Sequence, residues 1–70
     1  MLRDMSDIKY PDIEVQLSGG DGNAMVIIAR VSQAIRRTKG QAAASEFADE
    51  AMSGDYDKVL QTAMRWVDVS

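Results

Sequence analysis

The sequence predicts a small α+β domain of order βαααβ, with three helices packed on a two-stranded parallel sheet. Three observations predict it. Apolar and polar residues alternate strictly in one early stretch. Three later stretches carry apolar residues at helical spacing, with glycine-bearing breaks between them. A second, shorter alternation closes the chain.

The first strand is expected at residues 12–18, where Ile13, Val15 and Leu17 alternate with Asp12, Glu14, Gln16 and Ser18. Pro11 precedes it and suits a strand start, because it cannot donate to the ladder. Residues 1–9 are mixed and polar and are read as a flexible arm. Residues 10–70 form the single compact domain.

Gly19, Gly20, Asp21, Gly22 and Asn23 break the strand, and Asp21 or Asn23 can cap the helix that follows. That helix is expected near 23–38, with Ile28, Val31 and Ile35 in the core and Met25 and Val26 widening its apolar arc. Arg36, Arg37 and Lys39 lie at its C-terminal end, where cations favour the helix dipole. Gly40 is a natural stop. An alanine-rich helix follows at 41–52, its inner stripe drawn from Ala44, Phe47, Ala48, Ala51 and Met52. Gly54 then ends this helix and Asp55 caps a third at 55–65, whose inner face is Tyr56, Val59, Leu60 and Ala63. Residues 66–69 alternate as a terminal strand. The alternative is a helix running to the end, but the β-branched Val67 and Val69 favour a strand. Each short connection reverses the chain, so three intervening helices leave the two strands parallel. The expected core is Val15, Leu17, Ile28, Val31, Ile35, Phe47, Leu60 and Val67.

A chain of 70 residues has a thin stability margin, because a domain of this size buries only about 60% of its unfolded surface. It contains no cysteine and no histidine, which removes disulfides and the preferred zinc ligands. No cofactor is expected. The net charge of −3 argues against direct nucleic-acid binding through a broad positive field. Met1 to Lys9 lacks the apolar run of a secretion signal, and the longest apolar run, Ala24 to Ala29, is far too short to cross a bilayer. The expected location is the cytoplasm, without membrane attachment.

Catalytic constellations are missing from the sequence. The GGDGN loop matches neither dinucleotide- nor nucleotide-binding patterns, and Asp21 would repel a phosphate. No serine or threonine has a histidine to activate it. Asp55 and Asp57 read as a cap and a favourable dipole charge rather than as an acid–base pair. The expectation is a binding protein, not an enzyme.

Charge is segregated along the chain. Arg30, Arg36, Arg37 and Lys39 occur without an acid among them, whereas Glu46, Asp49, Glu50, Asp55 and Asp57 occur without a base between Gln41 and Asp57. Such blocks form either solvated helix faces or patches that steer a charged partner. Trp66 divides similarly. With Arg65 it has the residue types of an interface anchor, yet a single tryptophan in a small domain is more often core.

The segments YPDIEVQLSGGDGNA at 10–24 and SGDYDKVLQTAMRWVDVS at 53–70 resemble a family of very short, uncharacterised proteins of bacteriophages and prophages. The middle helix carries no part of the resemblance. The resemblance implies a phage-associated origin and neither a catalytic residue nor a ligand. The expected role is a stoichiometric inhibitor of a host defence complex, of anti-CRISPR type. Its partner-binding residues would be Glu46, Asp49, Glu50, Asp55, Asp57, Arg65 and Trp66, facing a host protein or ribonucleoprotein complex. Two alternatives are an oligomer sequestering a small anion at the Gly-rich loop, and a small transcriptional regulator using Arg30, Arg36, Arg37 and Lys39. The acidic second helix disfavours the regulator, because phosphates would repel it. A homodimer is expected from the apolar arc Met25 to Ile28 and from the open strand edges.

Overall fold

The computed structural model describes residues 8–17 and 23–69. Its order is β1 (Tyr10–Val15), α1 (Ala24–Lys39), α2 (Gln41–Ala51), α3 (Tyr56–Trp66) and β2 (Val67–Val69). The two strands pair in parallel and the three helices pack on them, which is the predicted α+β architecture.

Each helix follows from a stripe of buried residues at helical spacing. In α1 the stripe is Ile27, Ile28, Val31 and Ile35; in α2 it is Ala44, Phe47 and Ala51; in α3 it is Val59, Thr62, Ala63 and Trp66. Asn23 caps α1, its Oδ1 accepting from the Met25 amide at 2.8 Å. Asp55 caps α3, accepting from the Lys58 amide at 3.1 Å. Gly40 joins α1 to α2 without a connecting loop. Its amide donates to the Arg36 carbonyl and its own carbonyl accepts from the Ala44 amide. Its φ of 99° and ψ of 171° are open to glycine and costly for other residues.

The helix α3 passes directly into β2. Val67 still donates to the Ala63 carbonyl while its backbone has already become extended. Trp66 is therefore the last helical residue rather than the first of the strand, and the helix does not run to the end. The strand β1 begins two positions earlier than predicted and ends at Val15. Tyr10 pairs with Val67, Glu14 with Asp68 and Val15 with Val69, so β1 advances four residues where β2 advances one. Pro11 sits inside this irregularity, where its missing N–H leaves no ladder bond unmade.

The core centres on Phe47, Val31, Ile35, Ala51 and Val67, all fully buried. Trp66 meets Phe47 edge-on at 5.6 Å between ring centroids, and meets Tyr10 similarly at 5.8 Å. These three rings join β1, α2 and α3, and each such contact adds about 0.5–1.5 kcal/mol beyond area burial.

Several core assignments shift. Leu17 and Leu60 are half-buried, while Ile13, Ile27, Val59 and Trp66 are buried. Leu17 lies beyond the end of β1. In α3, the neighbouring Val59 rather than Leu60 faces inward. Met52 and Tyr56, expected on inner stripes, are exposed at 53% and 41%. Met52 is the C-cap of α2 and Tyr56 the first residue of α3, so both lie at the ends of helices where the packed layer gives out. The arc expected to form a dimer face divides: Ile27 and Ile28 are buried within one chain, and only Met25 and Val26 remain exposed.

Of the expected arm, residues 1–7 lie outside the described residues. Ile8 is buried, and the Lys9 amide donates to the Arg65 carbonyl at 2.8 Å, so these two residues belong to the packed domain. No helix among the described residues is long and apolar enough to cross a membrane.

Candidate functional site

The five acids expected to form one binding face have different roles. Glu46 lies on the outer side of α2, and its carboxylate is 3.5 Å from the Lys9 ammonium. Glu50 is bound by the Arg65 guanidinium, which reaches across from α3. Asp55 is committed in part to the α3 cap. Asp49 and Asp57 are exposed and make no ion pair among the described residues.

This pattern follows from the packing of the elements. The buried stripe of α2 points Phe47 and Ala51 inward, which turns Glu46, Asp49 and Glu50 outward. The α3 helix lies alongside, with its own stripe inward and Arg65 at its outer margin, within reach of Glu50. Residues 8 and 9 then cross the end of α3 and bring Lys9 to Glu46.

Arg65 is thus a bridging residue, with its charge engaged inside the chain. Trp66 is only 4% exposed, in keeping with the core reading of a lone tryptophan and not with that of an exposed interface anchor. Its ring is covered by Phe47, Tyr10 and the Lys9 side chain, whose ammonium lies 4.1 Å from the ring centroid. The long-range Lys9 contact joins residues far apart in sequence, and no local pattern signals it.

The structure also brings out two residues that the periodicity hid. Met52 and Tyr56 are exposed within the same acid-only segment, beside Asp49, Asp55 and Asp57. They flank the Ser53–Gly54 turn, where the exposed acids Asp49, Asp55 and Asp57 are close in sequence and the Lys58 side chain packs beside Gly54. Methionine and aromatic residues are the types enriched where proteins meet. The only sequence signal for this pair was position, an apolar residue on each side of the Ser53–Gly54 break.

The basic residues are more dispersed. Lys39 pairs with Asp12 at 3.2 Å and lies 5.2 Å from the Tyr10 ring centroid. Among the described residues, no three His, Cys, Asp or Glu side chains are grouped as a metal site would require. Gly19, Gly20, Asp21 and Gly22, the expected anion loop of the alternative reading, lie outside the described residues. No protein-family model, curated protein or solved structure matches the chain.

Proposed function

We propose that this is a non-enzymatic binding protein that engages a basic surface on a host macromolecular complex through the turn between α2 and α3. The observation that carries this reading is the exposure of Met52 and Tyr56 among Asp49, Asp55 and Asp57, with no basic residue between Gln41 and Asp57. The apolar side chains supply contact area that excludes water, and the nearby acids supply steering and orientation. Lysine- and arginine-lined channels that hold nucleic acid present the complementary charge. Together with the resemblance to short phage proteins, this supports stoichiometric inhibition of a host defence complex, in the manner of an anti-CRISPR protein.

The acids differ in their use as probes. Reversing Glu46 or Glu50 would also break their contacts with Lys9 and Arg65, so a loss of binding could be a loss of packing. Asp49, Asp57 and Tyr56 lack such ion-pair ties. The test is co-purification from host lysate at low salt, with partners identified by mass spectrometry. A partner held by the native chain and lost from Asp49→Lys/Asp57→Lys and from Tyr56→Ala supports the reading. A partner held equally by native chain and variants sinks it.

A further inference from the structure

We propose that the groove between α1 and α2 binds a small organic oxyanion, a molecule bearing a phosphate or carboxylate group. The groove has a volume of about 360 Å³, within the range of small-molecule sites. Its polar lining is Ser32, Gln33, Arg36, Gln41 and Ser45. Every one of these side chains can donate a hydrogen bond, and the single formal charge among them is positive.

Three details point to an anionic occupant. Arg36, unlike Arg65, Lys9 and Lys39, has no ion pair among the described residues, so its guanidinium is available to a ligand. The Ser32 hydroxyl is shielded from solvent and has no hydrogen-bond partner among the described residues. A shielded, unmade hydrogen bond is costly, and rotation of the Ser32 side chain towards the groove would bring its hydroxyl to an oxygen acceptor there. Gln41 Nε2 donates to Ser45 Oγ at 3.2 Å, which orients the serine and leaves its own proton free to donate elsewhere.

The groove exists because the facing side chains are small. Ala29 lines it from α1, and Ala44 and Ala48 from α2. Gln41, Ala44, Ser45 and Ala48 follow the i, i+3, i+4, i+7 spacing of one helix stripe. The groove also reaches the first turn of α2, which has no acid; the C-terminal end of α1 meets it across Gly40, so the two helix dipoles oppose each other and Arg36 carries the positive charge. A second depression contains Arg30 and Arg37, but Glu14 lines it too and would oppose an anion.

The test is titration of the isotope-labelled full chain with AMP, citrate and inorganic phosphate, followed by backbone amide shifts. We expect saturable shifts at Ser32, Arg36, Gln41 and Ser45 with AMP or citrate, with Kd below about 1 mM. A response to AMP alone identifies a phosphate ester, and a response to citrate alone a carboxylate. Arg36→Gln should weaken binding by about tenfold or more, through the lost charge-assisted bonds. Ala29→Phe should abolish it by filling the groove from an exposed helical position, with the thermal midpoint as the check on folding. Absence of saturable shifts with all three probes, equal binding by Arg36→Gln, or inorganic phosphate binding tighter than both organic probes would overturn the proposal. The two variants leave Met52, Tyr56 and the neighbouring acids untouched, so this result is independent of the turn surface.

Discussion

Lys9 holds its ammonium 4.1 Å from the centroid of the Trp66 ring and 3.5 Å from Glu46 Oε1. One side chain thus fastens the segment before β1 to both α2 and α3. Its backbone amide bonds the Arg65 carbonyl as well, so the attachment has two parts. The side chain is about half exposed, which keeps the ionic part weak. Lys9→Met retains the stem and removes the charge. It should lower stability by about 0.5–1 kcal/mol, the range for an exposed cation over an aromatic face. Trp66 is the only tryptophan, so its fluorescence reports the contact directly. An unchanged denaturation midpoint with unchanged Trp66 emission would count against the contact.

Phe47 should be the most sensitive position in the core. It is fully buried, and its ring supports Trp66 edge-on. Phe47→Ala should cost about 3–5 kcal/mol. A core in a chain this short supplies little more than about 3–5 kcal/mol in total, so the variant should be largely unfolded. Leu60→Ala, at a half-buried site, should cost clearly less. Circular dichroism of Phe47→Ala with native helix content and a native melting midpoint would contradict this packing.

The element order, the parallel strands, the Asp55 cap and a choice of Asp21 or Asn23 for the α1 cap were legible in the sequence, because each rests on local chemistry. Alternation gave the sheet face that includes Ile13 and Val15, and Asn23 and Asp55 stand where capping oxygens are needed. The width and ends of each buried stripe were not legible. Val59 and Leu60 are both apolar neighbours, and only the packing against other elements selects Val59. Met52 and Tyr56 continue apolar patterns past the point where anything covers them. Lys9–Glu46 and Arg65–Glu50 were invisible for a different reason: they depend on which helix flanks meet, and charge blocks alone do not encode that. The same pairings tie Glu46 and Glu50 to Lys9 and Arg65 while leaving both acids on the outer side of α2.

Gly40 should tolerate no side chain, despite ample room for one. A Cβ placed there would meet no atom within 4 Å, so no clash is involved. The cost is conformational, because φ is 99° with an extended ψ. Gly40→Ala should lose about 1–3 kcal/mol. Gly54→Ala provides the opposite case, since its Cβ would lie 2.8 Å from the Lys58 Cβ. Shortening the neighbouring side chain by Lys58→Ala removes the Cγ contact and should recover only part of the Gly54→Ala loss. Chemical denaturation of these variants separates backbone strain from steric conflict.

Thr62 is fully buried, and its hydroxyl has no hydrogen-bond partner among the described residues. Replacing it with a methyl group of similar shape removes that desolvation cost. Thr62→Val should therefore match or exceed native stability, by up to about 1 kcal/mol. Thr62→Ser keeps the hydroxyl and deletes a buried methyl, so it should destabilise by about 1 kcal/mol. Valine falling below serine in thermal midpoint would mean that the hydroxyl has a stabilising partner.

Asp55 and Asp57 stand two residues apart and should separate folding from binding. The Asp55 carboxylate accepts from the Lys58 amide, satisfying a donor that the first turn of α3 leaves open. Asp55→Ala should cost about 1 kcal/mol. Asp57 lies in that first turn without capping it, so Asp57→Asn should cost only about 0.3–1 kcal/mol through the helix dipole. Partner association should follow the other order. Asp57, together with Asp49, presents a charge that no ion pair within the described residues engages, so Asp49→Lys/Asp57→Lys should slow association more than Asp55→Ala does. Long-range attraction acts on the encounter, so raising salt should slow association of the native chain and narrow its advantage over the double variant. Stopped-flow or surface-binding kinetics against the captured partner, at two salt concentrations, measures both effects. Association rates that ignore salt and the double reversal alike would leave Met52 and Tyr56 as the only contribution of this surface.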